Sequence, residues 1–191
     1  MATPYLFIDR DGTLIYEVPD GKINAFERLT FYPGALQYMA KIAAELNYEL
    51  VVISNQDGLG QEEGFEEGPF YEVNDFIFKT FKNEGVEFKE ILFDVTYKKN
   101  NEYTRKPNPG LLLNYMNNPE VDMENSFVIG DRITDVMLAK NLGCKGIWIN
   151  NGDNLGAEEL KDTATELKEF IALDTTTWKE IYEFLASKKK Q

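Results

Sequence analysis

The sequence predicts an α/β protein, a three-layer sandwich built around a mostly parallel sheet. Three observations carry this. Short apolar runs alternate with amphipathic segments of helical length, and such alternation requires crossover connections and parallel pairing. The runs are almost continuously apolar, the pattern of strands covered on both faces. The chain has 191 residues, 43% of them hydrophobic, enough for one domain of ordinary size. No linker and no internal repeat interrupts residues 1–191, so one domain is expected.

The elements follow in order. Tyr5 to Ile8 is the first strand candidate, ended by Asp9-Arg10-Asp11-Gly12. Pro33-Gly34 opens a helix to about Leu46, with Leu36, Met39, Ile42, Ala43 and Leu46 on one stripe. Glu49 to Ser54 is the second strand, favoured by its β-branched residues. Gln61 to Gly68 reads as a loop near the site. Phe70 to Lys82 forms a helix with Val73, Phe76, Ile77 and Phe81 on one face. The aromatics Phe65, Phe70 and Tyr71 could serve the core, a lid or an interface, and core is the first reading. Glu90 to Val95 is the third strand, and Pro109 opens a helix through about Asn117. Ser126 to Ile129 is the fourth strand, followed by a helix from Ile133 to Leu142 that Gly143 stops. Lys145 to Ile149 is the fifth strand, and Phe170 to Leu173 is one more at an edge. A last helix runs from Thr175 to Ala186, with Thr176 or Thr177 as its N-cap and Ile181, Phe184 and Leu185 on its stripe. Asn150 to Gly156 reads as a loop and Lys188 to Gln191 as a solvated, frayed end.

Composition excludes several functions. With 20 Lys+Arg against 33 Asp+Glu the net charge is -13, which speaks against nucleic acid and anionic membrane as partners. A single Cys leaves no internal disulfide framework and no Cys-based structural zinc site. The absence of His removes Ser-His-Asp and Cys-His nucleophile systems and His metal ligands. Acid and base work must then fall to carboxylates, Lys, Tyr or water. The N-terminus has no basic region, and its apolar run ends within a few residues. No signal peptide or membrane span is expected, and the context reads as reducing and cytoplasmic.

Polar residues collect where strands end, which is where such sheets bind ligands. Asp9 and Asp11 follow the first strand, Ser54 and Asn55 the second, and Asp131 and Asp135 the fourth; Arg105-Lys106-Pro107 lies in the loop after the third. Carboxylates gathered at one edge repel unless a cation lies between them. Oxygen ligands of this kind suit a hard cation, with Mg²⁺ the default. Gly12 permits close backbone approach, and Thr13 adds a hydroxyl and amides for an oxyanion. Taken alone, Asp9 and Asp11 could equally form a polar strand-to-turn junction, and Ser54-Asn55 an ordinary turn. Lys106 supplies a positive charge on a backbone that Pro107 and Pro109 restrict; Arg105 either does the same or covers surface. Asp135 is open to binding the metal, orienting a water or capping the helix, and a supporting role beside the metal is favoured. Arg10 and Arg132 are read first as structural partners of neighbouring carboxylates.

Together, Asp-x-Asp-Gly-Thr at Asp9–Thr13, Ser54-Asn55, Lys106-Pro107 and Gly-Asp-x-x-x-Asp at Gly130–Asp135 resemble the haloacid dehalogenase superfamily. Three stretches narrow the resemblance to the histidinol-phosphate phosphatase subfamily: Phe7 to Ile15, Phe26 to Gly34, and Ile53-Ser54-Asn55-Gln56-Asp57-Gly58-Leu59-Gly60. Val128 to Arg132 continues it. The resemblance implies a Rossmann-like fold, Mg²⁺ and a phosphoaspartyl intermediate. It makes Asp9 the nucleophile and Asp11 the general acid and base. Gly12, Thr13, Ser54, Asn55, Arg105 and Lys106 would hold the phosphate. Asp9, Asp131 and the backbone carbonyl of Asp11 would hold the metal. Asp at position 11 points to a phosphatase and away from a dehalogenase.

The chain departs from the subfamily at Asp94 to Thr104, where many relatives carry a Cys/His zinc loop and this sequence has no zinc ligand pair. No structural zinc is therefore expected. The segment between the first two motifs is too short for a large cap. The expected substrate is a small phosphomonoester, L-histidinol phosphate first, whose cationic end Glu17 or Asp57 could receive. The alternatives are a sugar bisphosphate of the heptose type or a broad set of small esters; a non-catalytic phosphate-binding module is the reading from another class. A polynucleotide 3′-phosphatase shares the motifs, but the charge opposes it.

Overall fold

The computed structural model describes residues 2–150, 152 and 166–188. Among them six strands form one sheet: β1 (Tyr5–Ile8), β2 (Glu49–Asn55), β3 (Glu90–Asp94), β4 (Phe127–Gly130), β5 (Lys145–Ile149) and β6 (Ile171–Thr175). Their order is β3-β2-β1-β4-β5-β6, and every neighbouring pair is parallel. β1 is buried at all four positions. Its register sets Phe7 beside Val51 on one side and Val128 on the other.

The two faces of β1 feed two cores, because successive side chains point to opposite sides. Leu6 and Ile8 pack with Met39 and Ile42 of α1 (Ala35–Glu45), Val73 and Ile77 of α2 (Glu67–Asn83), and residues of the C-terminal helix. Tyr5 and Phe7 pack with Leu112, with Tyr115 of α3 (Leu113–Met116), and with Leu138 and Leu142 of α4 (Ile133–Leu142). The C-terminal helix, α5 (Trp178–Lys188), places Trp178, Ile181 and Leu185 in the first core. This is the expected three-layer sandwich, and no large cap stands over the strand ends among the described residues.

Several boundaries differ from expectation. α2 begins at Glu67, so the helix takes Glu67 and Gly68 from the predicted loop; Pro69 sits in its first turn, where it costs no hydrogen bond. The predicted helix after Pro109 is a 3₁₀ turn over Gly110–Leu112 and then one α turn, since the chain turns again at Asn117-Asn118-Pro119. β4 starts after Ser126, whose hydroxyl accepts the Tyr5 amide at 2.8 Å. β3 stops at Asp94, and β6 runs to Thr175 with Phe170 in the turn before it. Thr177 caps α5, accepting the Glu180 amide at 3.3 Å, and Lys188 is helical rather than frayed. The predicted tail at 189–191 and most of the loop from Asn150 lie outside the described residues. Phe65 and Phe70 are core as expected, but Tyr71 is 44% exposed, its ring meeting those of Phe70 and Phe93 edge-on. No described helix is long and apolar enough to cross a membrane.

Candidate active site

The three central strands, β2, β1 and β4, end side by side, and their carboxyl ends deliver most of the expected site residues to one place. Asp9 leaves β1 with its amide on the Ile129 carbonyl at 2.8 Å. Its carboxylate lies 2.7 Å from Lys106 Nζ, and the same nitrogen lies 2.8 Å from Asp135 Oδ1. One oxygen each from Asp9, Asp131 and Asp135 fall within 4.8 Å of one another, all three residues being buried. Burial raises Asp9 to about 7, working with Asp135 and Asp11 against Lys106. Burial also raises Asp131 to about 8, helped by Asp9 and Asp135. Burial opposes the Lys106 charge, but Asp135 and Asp9 outweigh it and hold the ammonium above its ordinary range.

The cluster is short of positive charge. Three carboxylates face one ammonium, and Asp131 Oδ1 is buried with no hydrogen-bond partner. Gly12, at φ +72°, lets the loop close onto this carboxylate: a Cβ there would lie 2.1 Å from Asp131 Oδ2. An orphaned carboxylate oxygen among oxygen ligands fits a hard divalent cation such as Mg²⁺. The Asp11 side chain stays outside this group, which leaves its main-chain carbonyl as the atom it can offer a metal.

Asp11 instead accepts from Arg10 at 2.9 Å and from Gln56 Nε2 at 2.7 Å, and lies 3.5 Å from Ser54 Oγ. Gln56 Nε2 also donates to Ser54 Oγ at 2.8 Å, so this amide joins Asp11 to Ser54. Thr13 is buried, and its hydroxyl, like Asp131 Oδ1, has no partner.

Asp135 has one of its expected uses, the helix cap, and one that was not expected. One oxygen anchors Lys106, and the other accepts the Arg132 amide at 3.1 Å, capping α4. Gly130 makes room for it, since a Cβ there would lie 2.1 Å from Asp135 Oδ2. The Asn55 side chain is not free for an anion. Its amide donates to the Lys106 carbonyl at 3.1 Å and its oxygen accepts the Lys106 amide at 3.0 Å, a two-point clamp on the lysine's backbone. The segment between β3 and Arg105 is closed by Asp94, which accepts from the amide of Thr96 at 2.9 Å and from the hydroxyl of Thr104.

A cavity of about 310 Å³ opens above Asp9, Asp11, Ser54 and Lys106, and its wall includes Phe65, Arg105 and Arg132. Glu17 and Asp57 line it too, but neither is an unpaired carboxylate awaiting a cation. Arg132 Nη2 reaches both Glu17 oxygens at 2.9 Å, and Arg105 pairs with Asp57. The two groups expected to receive a cationic substrate end thus stand at the cavity, each already paired with an arginine. Arg132 is a structural partner of Glu17, as anticipated, and Arg105 stands at the cavity wall with its charge already engaged. Two tryptophans hold the loops from behind: Trp178 Nε1 donates to the Thr13 carbonyl and Trp148 Nε1 to the Asp131 carbonyl, each at 2.9 Å.

Sequence reasoning passed over Gln56 and Asn74, both buried. Asn74 Oδ1 accepts from Arg10 Nη1 at 2.8 Å. The available signal was a polar residue beside Val73 on the inward face of α2, and an amide directly after Ser54-Asn55.

Residues 103–174 match the HAD-hydrolase-like family model. The chain is 43% identical, over 97% of its length, to the histidine biosynthesis bifunctional protein HisB of Bacteroides fragilis, and covers 48% of that protein. It is 45% identical, over 94% of its length, to the protein of the same name from Spirosoma linguale, again covering 48% of it. The chain thus spans about half the length of the curated relatives it matches. Its fold is similar to that of a D,D-heptose 1,7-bisphosphate phosphatase from B. bronchiseptica, solved with magnesium and phosphate, at a TM-score of 0.76 and 20% identity over 96% of this chain and 99% of that one. At that identity the likeness shows the fold.

Proposed function

We propose that this chain, which belongs to the haloacid dehalogenase-like hydrolases, is a Mg²⁺-dependent phosphomonoesterase that hydrolyses L-histidinol phosphate through a phosphoaspartyl intermediate on Asp9. Residues 1–191 act as one phosphatase domain in this reading. The observation that carries it is the buried, electron-rich cluster of Asp9, Asp131 and Asp135 beside Lys106, with an orphaned carboxylate oxygen and a cavity above it. The likeness to histidine-biosynthesis proteins supports this choice of substrate.

Asp9 attacks phosphorus in line as the ester bond breaks. Asp11 gives its proton to the departing alkoxide and later takes one from the water that cleaves the acyl phosphate. Lys106, Ser54 and the amides at Gly12 and Thr13 offset charge on the phosphoryl oxygens. Asn55 serves the phosphate indirectly, by fixing Lys106, and Arg105 closes the wall beside it. Asp9, Asp131 and the Asp11 carbonyl would hold Mg²⁺, which when bound neutralises their charge and polarises the phosphoryl group. Asp135 supports the site by anchoring Lys106. We read no structural zinc into the chain, since Asp94 ties the segment that carries zinc in many relatives. The substrate is a small ester, with neither nucleic acid nor membrane as partner, and the setting is cytoplasmic.

The similarity of fold to a heptose bisphosphate phosphatase supports a second reading, a sugar bisphosphate. The test is phosphate release from L-histidinol phosphate, a heptose bisphosphate and an aryl phosphate, with Mg²⁺ and with EDTA. We expect metal-dependent release and a strong preference for histidinol phosphate. Even turnover across the panel removes the named substrate, and no release from any ester removes the enzymatic reading.

A further inference from the structure

Arg10 separates the nucleophile from the proton-transferring carboxylate in sequence, and its side chain is fully buried. Burying a guanidinium away from water is costly unless it is hydrogen-bonded, and here each of its three nitrogens has an acceptor. Nε and Nη2 reach Asp11 at 3.1 and 2.9 Å, Nη2 also reaches Gln56 Oε1 at 3.1 Å, and Nη1 reaches Asn74 Oδ1 at 2.8 Å. Its carbon lies 4.9 Å from the centre of the Phe70 ring. The Asn74 side chain is itself fixed, its amide donating to the Phe70 carbonyl at 2.8 Å. Asn74 therefore holds the far corner of a planar fork whose near edge holds Asp11. It stands 64 positions from Arg10 in sequence, and its two hydrogen-bond partners, Arg10 and the Phe70 carbonyl, do not line the cavity.

Resting on the phosphatase reading above, we propose that Asn74 is a positioning residue that sets the orientation of Asp11 through Arg10, and so sets how well Asp11 protonates the leaving group. In the first step the Asp9–phosphorus bond forms, the ester P–O bond breaks, and the Asp11 proton passes to the departing alkoxide. An alkoxide needs that proton; a nitrophenolate leaves without it. A loosened Asp11 must then slow alkyl esters and spare nitrophenyl esters. General damage to the fold would slow both alike.

The test compares kcat/KM, which reports this first step, for L-histidinol phosphate and p-nitrophenyl phosphate in the Mg²⁺-loaded full chain. Asn74→Leu keeps the branched shape, with a larger side chain, and removes the acceptor. It should lower kcat/KM for the alkyl ester by about 10²-fold, the scale of general acid catalysis, and for the nitrophenyl ester by no more than about threefold. Asn74→Asp keeps an acceptor for Arg10 but loses the bond to the Phe70 carbonyl, and should keep the wild-type ratio. Asn74→Ser, which leaves room for a water, gives the same comparison if Asn74→Leu does not fold, and its ratio must shift in the same direction. Equal losses on both esters, or an Asn74→Asp enzyme that loses the alkyl ester selectively, overturn the proposal while leaving the phosphatase reading intact. A wild-type chain that releases phosphate from neither ester removes that reading, and this inference with it.

Discussion

Two buried charge clusters flank the end of β1, and they are built on opposite principles. Around Lys106, one cation faces three carboxylates, and an oxygen of Asp131 is left unbonded. Around Arg10, one cation faces one carboxylate and two neutral amides, with an aromatic ring beneath it. The first is incomplete without more positive charge. The second is complete as it stands. Asp9 and Asp11 are two residues apart, yet one is kept available for chemistry and the other is held in shape.

The strongest way to break this contrast is to remove charge from the incomplete side. Asp9→Asn should abolish phosphate release while leaving the metal-free melting temperature unchanged or higher, because one member of a repelling group is gone. Calorimetry beside the activity assay checks both, and retained turnover would falsify the nucleophile assignment. Asp11→Asn keeps the shape of the complete side but not its proton; a loss of about 10²–10⁴-fold in kcat is expected, and an unchanged rate removes Asp11 from proton transfer. Lys106→Met deepens the imbalance. It leaves buried carboxylates uncompensated, so urea unfolding in EDTA should show a loss of about 3–5 kcal/mol.

A pH series sharpens the contrast more gently. Asp9 and Asp131 are raised from 3.8 to about 7 and about 8 in the folded chain. Between those limits the folded state holds more protons than the unfolded one, so stability falls as pH rises. In EDTA the melting temperature should decline from pH 5 to pH 8. Mg²⁺ should restore it at the alkaline end, by about 2.7 kcal/mol at a hundred times its Kd. A flat profile in EDTA would mean that the cluster is already balanced. The smallest effect belongs to the cavity rim: Glu17→Gln breaks a partly exposed pair with Arg132 and should cost less than about 1 kcal/mol in urea unfolding.

How much of this was legible in the sequence follows from what kind of interaction each residue makes. β1 and β4 could be read because four consecutive apolar residues have few other places to go. Asp9 and Asp131 could be read because each directly follows such a strand, and parallel strands deliver their ends to one edge. Asn55 was read as a phosphate ligand, but its side chain also clamps Lys106, across 51 positions, which the sequence did not show. Asn74 was missed altogether. Both depend on which strand lies beside which loop or helix, and neither period nor composition encodes that order. The arginine partners of Glu17 and Asp57 were hidden for a related reason, since a charge count does not show which charges meet.

The two indoles bonded to the Thr13 and Asp131 carbonyls are the chain's only tryptophans. Each is wired to the backbone of a site loop and to little else that ligands would disturb. Intrinsic emission of this protein is therefore an optical gauge of the site, with no label needed. Titrating Mg²⁺ or inorganic phosphate and watching the emission maximum would read occupancy directly. Trp148→Phe and Trp178→Phe would then separate the signal of the β4 loop from that of the β1 loop.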